Sequence, residues 1–126
     1  MLTTLARVVE VVCQVSGVTE RELTGFRRAD RIVEARRAAA YIARQRTTAS
    51  FTEIGAAMRG SATRHSSAIA MNREAIRLLA SGDRGLTGIV EDATDALNEA
   101  DRERERERQR IKRNKRQRKR RRTRKG

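Results

Sequence analysis

A near absence of aromatic side chains most constrains this chain. Of its 126 residues only Phe26, Tyr41 and Phe51 are aromatic, about 2%, and there is no Trp. Sandwich strands draw on aromatic and β-branched residues, and so do the sheet platforms on which RNA-binding domains stack bases. Neither is expected here. Proline is also absent, while Ala, Arg and Glu are abundant, a composition that suits uninterrupted helices. The expected fold class is all-α: a small helical bundle of single-domain size, followed by a helical or disordered basic tail.

Charge divides the chain. Lys and Arg number 30 against 16 acids, a net charge of +14, which points toward polyanions and most simply nucleic acid. Residues 1–82 carry a net +6 and residues 83–107 a net −5, while residues 108–126 hold 13 basic residues and no acid. All four lysines lie in that last block. Small polar residues and glycines cluster from Ser81 to Gly88, so the reading is a domain over 1–82, a hinge over 83–88, a charged helix over 89–109 and a disordered basic tail over 110–126.

Little supports chemistry at a built catalytic centre. Cys13 is the only cysteine and His65 the only histidine. No disulfide or cysteine-based zinc site is expected, and no set of acid, base and nucleophile converges. The expectation is therefore no enzyme, no metal, no cofactor and no small-molecule substrate, with Cys13 a small buried side chain. No apolar run approaches the ~20 residues of a membrane span. The start lacks a basic segment before its apolar stretch, unlike a secretory signal. The expected location is cytoplasmic and nucleoid-associated.

Helical periodicity organises the first 82 residues. Leu5, Val8, Val9 and Val12 share one face of a helix that Ser16-Gly17 ends. A β-branched run could read as a strand, but a lone strand would leave its backbone unpaired. Thr19-Glu20-Arg21-Glu22 fits a capping box, and Gly25 closes that short helix. Asp30 caps a longer helix to about Gln45, with Ile32, Ala35, Ala39 and Ile42 on one face. Ser50-Phe51-Thr52-Glu53 is a second capping box, opening a short helix through Met58. After a turn over 59–63, a further helix runs from Thr63 or Arg64 past Leu79, which makes a helix-turn-helix reading.

The residues from Arg27 to Ala43, RRADRIVEARRAAAYIA, are similar to the basic loop and long helix of the C-terminal domain of the bacterial replication initiator, DnaA. Ser50-Phe51-Thr52-Glu53-Ile54-Gly55 resembles the Ser-Leu-x-Glu-Ile-Gly that opens that family's helix-turn-helix. Thr63-Arg64-His65-Ser66-Ser67-Ala68-Ile69 stands where the family has Arg-Asp-His-Thr/Ser-Thr-Val-x, and Val18 to Leu23 resembles its preceding short helix. The motifs keep their order over roughly Leu5 to Leu79. No phosphate loop of the initiator's ATPase type is present, so the resemblance is to the DNA-reading end without its motor.

The resemblance implies double-stranded DNA as partner. It places Arg28 in the minor groove, Arg36, Arg37 and Arg44 along phosphates, and Ser50 and Thr52 at a helix start facing a phosphate. Arg64, His65, Ser66 and Ser67 would open the recognition helix in the major groove. Arg64 replaces the family's acid and can only donate, which predicts a preference for guanine and a changed target.

The residues Leu86, Ile89, Val90, Ala93 and Leu97 space as an amphipathic helix, to pack on the domain, on a second copy or on a replication factor. The basic tail would add affinity without sequence choice. The expected function is sequence-specific DNA binding in origin binding or transcriptional regulation. The alternative is a low-specificity DNA- or RNA-binding or packaging protein driven by the tail.

Overall fold

A computed structural model describes residues 3–59 and 65–125 and, within them, all side chains except those of Arg59, His65, Ser66 and residues 123–125. The described residues form α1 (Leu5–Ser16), α2 (Glu20–Thr24), α3 (Asp30–Arg46), α4 (Phe51–Arg59), α5 (His65–Ala80) and α6 (Arg84–Lys125), with no strand among them.

Local signals explain most boundaries. The valine-rich α1 is a helix: Thr4 accepts from the Arg7 amide at its start, and Gly17 ends it at φ 75°. It buries Val8, Val9, Val11 and Val12, each contributing about 1.5–3 kcal/mol as its side chain leaves water. Thr19 and Glu22 form the reciprocal capping box that starts α2. Ser50 and Glu53 exchange the same pair of bonds before α4, at 3.1 and 3.2 Å. Asp30 is not the cap of α3 as expected; Ala29 holds that position and Asp30 is the first helical residue. An acid there still suits the positive end of the helix dipole.

Helix α3 is the centre of the bundle, packed by every other helix. Its alanines at 35, 38, 39, 40 and 43 are buried on several sides, and their small size lets α1, α5 and α6 approach the same helix. Ile32, Ile42, Leu23, Ile54 and Met58 fill the remaining space.

Two expectations about the second half are corrected. The domain does not end at residue 82, because Leu86, Ala93 and Leu97 belong to the same buried cluster as Val8, Val12 and Ile32. Their seven- and four-residue steps align them on the face of α6 that covers α1 and α3, so the amphipathic helix packs on its own domain. Residues 83–88 likewise do not form a hinge. The chain turns at Ser81-Gly82, where Gly82 takes φ 80° and the amides of Gly82 and Asp83 bond back to the carbonyls of Leu79 and Leu78. Those bonds form a Schellman closure of α5. Asp83 then caps α6, its carboxylate accepting from the Leu86 amide at 3.0 Å.

The basic residues 110–125, expected to be helical or disordered, continue α6 to Lys125. Arg, Lys, Gln and Glu are good helix formers. Glu99 pairs with Arg102 at 3.5 Å and Arg106 at 3.8 Å, and Glu107 with Arg110 at 2.6 Å. Residues 102–122 are exposed all round, so α6 leaves the domain after Asp101 and projects by roughly 35 Å at 1.5 Å per residue.

Candidate nucleic-acid interface

Arg36 and Arg37 are adjacent and alike in charge, yet the fold treats them differently. Arg36 is buried, with 1% of its surface exposed. Its Nε donates to the Leu23 carbonyl at 2.8 Å and its Nη1 to the Arg27 carbonyl at 2.8 Å. Its Nη2 reaches the carbonyls of Glu22 at 3.1 Å and Gly25 at 2.7 Å. The expectation that Arg36 lies along phosphates is therefore corrected. Its guanidinium joins the Gly25 amide on the Glu22 carbonyl and satisfies the carbonyls of Leu23, Gly25 and Arg27, which the end of α2 and the following loop leave without helical partners. A fork of five donors is the one side chain suited to gathering four carbonyls.

That clamp shapes the loop over residues 25–29. Gly25 sits where a Cβ would come within 2.9 Å of the Arg21 carbonyl oxygen, so the turn out of α2 is too tight for a side chain. Beyond it Phe26, Arg27, Arg28 and Ala29 are exposed. Arg28 thus stands free on a loop whose backbone is anchored from beneath. Arg31, at the start of α3, is bonded back to Glu22, and this bond is the main cause holding the Glu22 carboxyl below its ordinary pKa.

Arg37, about 100° further round α3, is half-buried and borders α5. It shares an open cleft of about 420 Å³ with Val33, Arg36, Ser67, Ala70, Met71 and Glu74. Two predicted residues from separate helices, Arg37 and Ser67, therefore meet at one place. Glu74 in the same cleft bonds to Arg77, the chief reason its carboxyl is pulled below the usual range, and the charge of Arg37 pulls in the same direction.

At the other end of α3, Arg44 is exposed and lies over the Phe51 ring, 4.6 Å from its centroid. This stacking holds the guanidinium beside the start of α4. Ser50 is the cap there and Thr52 is exposed in the first turn. Arg44, Ser50 and Thr52 thus gather where helix amides point outward. In α5, His65 and Ser66 occupy the first turn, although their side chains lie outside the described set; Arg64 lies outside the described residues altogether.

The structure adds three residues that sequence reasoning passed over. Phe26 is 91% exposed within the basic loop. Arg27 beside it is exposed as well. Arg46 joins α3 to α6, donating to Asn98 at 2.9 Å and Asp101 at 3.2 Å. For the first two, the Gly-Phe-Arg-Arg string was the available signal; for Arg46 there was none, because its partners lie more than fifty residues away.

Among the described residues no group of three metal-ligating side chains gathers, and no helix is long and apolar enough to cross a membrane. A family model described as the bacterial DnaA protein helix-turn-helix matches residues 5–74, more than half of the chain. No curated protein matches it.

Proposed function

Since the chain belongs to the family of bacterial DnaA helix-turn-helix domains, which bind DNA, we propose that it recognises a particular double-stranded sequence. The first turn of α5 enters the major groove and Arg28 the minor groove beside it. Arg37 and Arg44 neutralise phosphates, and the α4 start with Ser50 and Thr52 faces another. Arg64, His65, Ser66 and Ser67 supply the base contacts, with Arg64 selecting guanine. The role is origin binding or regulation of transcription.

The observation that carries this reading is the span of the family match. Residues 5–74 contain the clamped loop with Arg28, all of α4 and the first ten residues of α5. The projecting basic part of α6 supplies affinity without sequence choice, through counterion release.

Selection of bound sequences from a random duplex pool by the intact chain, at about physiological salt, tests the proposal. A recovered motif that Arg64→Ala relaxes at one guanine, and Arg28→Ala at a flanking A·T stretch, supports it. Equal retention of every duplex, with no motif, would instead favour low-specificity binding through the basic end of α6.

A further inference from the structure

Phe26 is the most exposed large apolar side chain of the described residues, at 91%; the next, Ile76 and Ile111, are 49% and 47% exposed. Nothing about the loop suggests that Phe26 is outside by default. The carbonyls on both sides of it, those of Gly25 and Arg27, are held by the buried Arg36 guanidinium at 2.7 and 2.8 Å. The carbonyls of Glu22 and Leu23 just before them are held by the same group. A buried charged side chain thus fixes the backbone around an aromatic ring that touches no core. The ring is followed by two exposed guanidiniums, Arg27 and Arg28.

A rigid apolar tip flanked by cations fits one partner by charge, the duplex minor groove. Proteins that enter this groove often insert Phe or another apolar wedge between base steps, with Arg or Lys on the groove walls. Inserting the ring removes its apolar surface from water and places it on base faces. The flanking arginines meanwhile meet the negative potential of a narrow groove. Rigidity matters because a mobile ring would lose conformational freedom on insertion, and the Arg36 clamp has already removed that freedom from the backbone.

We infer that Phe26 is a wedge that inserts into the minor groove at a flexible pyrimidine–purine step, partly unstacking and kinking the DNA beside the site read by α5. The inference rests on the proposed placement of the 25–29 loop in the minor groove and adds a residue and a DNA deformation to it. Selectivity for a TA or CA step would follow from the low cost of unstacking those steps, without any base-edge contact by Phe26.

The test uses the intact chain and a duplex of about 30 base pairs carrying the site recovered by selection flanked by T–A steps, with 2-aminopurine replacing an adenine of the flanking steps. Fluorescence anisotropy reports binding, and 2-aminopurine emission reports unstacking. The wild type should raise the emission on binding. Phe26→Ala should abolish that rise and weaken binding about tenfold, while Phe26→Leu, still an apolar wedge, should keep part of both. The ring packs against no core, so these variants keep the fold, which circular dichroism verifies. An equal emission rise from wild type and Phe26→Ala would overturn the wedge, as would wild-type binding with no rise. So would a Phe26→Ala effect confined to the sedimenting mass of the free protein, which would make the ring a protein contact. Absence of any duplex binding by the wild type would remove the DNA reading itself along with the wedge.

Discussion

The Arg36 guanidinium lies 2.7 Å from the Gly25 carbonyl, eleven residues back along the chain. Through this bond and its three companions the long central helix holds the loop that carries Phe26, Arg27 and Arg28. A buried arginine therefore positions exposed ones. This separates two effects that a simple reading of a basic segment would merge.

Arg36→Ala should destabilise the domain by about 3 kcal/mol, because several loop carbonyls lose a charged donor in a buried place. Arg36→Lys should recover only part of this, since an ammonium cannot span four carbonyls as a planar fork does. Arg44→Ala, at an exposed position proposed to face a phosphate, should leave stability nearly unchanged and reduce the salt slope of DNA binding by about 0.9, one phosphate's worth. Urea unfolding and binding titrations at several salt concentrations distinguish the two. An Arg36→Ala variant of normal stability and lowered salt slope would return Arg36 to the phosphate backbone.

The first four turns of α6 should behave as core. Leu97→Ala is expected to cost about 2–5 kcal/mol, the range for truncating a buried leucine. A chain ending at residue 82 should lose cooperative unfolding, because α1 and α3 would expose the face that Leu86, Ala93 and Leu97 cover. Arg46→Ala and Asp101→Ala should show a coupling of only about 0.5 kcal/mol in a double-mutant cycle, since both groups are partly exposed. Thermal melts of Leu97→Ala, of the shortened chain and of the members of the cycle check these values.

Removing residues 108–126 deletes 13 positive charges without touching the buried cluster. Stability should hold, whereas the salt slope of binding to any duplex should fall by about 0.9 for each phosphate the tail neutralises. The base preference recovered by selection should stay the same. A lost preference would assign sequence reading to the tail.

Glu34 sets one pH dependence. Burial, aided by the charge of Asp83, pushes its carboxyl above the ordinary value, with Arg37 opposing. The folded state therefore binds its proton more tightly than the unfolded chain does. This contribution is largest at acid pH and is lost as pH rises from the unfolded value through the folded one. Glu34→Gln should raise the melting temperature at neutral pH and flatten the trend across the carboxylate range. Glu22 and Glu74 act with the opposite sign: bonds to Arg31 and Arg77 lower their values, so their stabilisation is lost as pH falls through those lowered values. Melts of Glu34→Gln and Glu74→Gln from acid to neutral pH should tilt in opposite directions relative to wild type.

Much of the fold was legible because its signals are local. The two capping boxes, Thr19 with Glu22 and Ser50 with Glu53, each close within one turn, and both form. The glycine at position 17 ends its helix in the left-handed region, where a missing Cβ removes the steric cost. The four-motif resemblance was also readable, since it depends on order and residue type.

The candidate site was legible only in part. Arg28 and Arg44 stand exposed on their elements, and Arg37 and Ser67 come together in one cleft. Arg36 was misplaced because it and Arg37 differ by one position, about 100° around α3. At position 36 the carbonyls of the α2 end take up the guanidinium, whereas Arg37 is left half-buried at the cleft against α5.

Composition, caps and periodicity by themselves determined that this chain is helical, where its first four helices begin and end to within about a residue, and that its positive charge is concentrated at the end of the chain. Those properties depend on residues within a turn or two of one another. Tertiary structure alone decided which arginine is buried, which ring is left outside and where the domain stops. Burial depends on what arrives from distant parts of the chain: the carbonyls of the α2 end around Arg36, and the apolar face of α6 across α1 and α3.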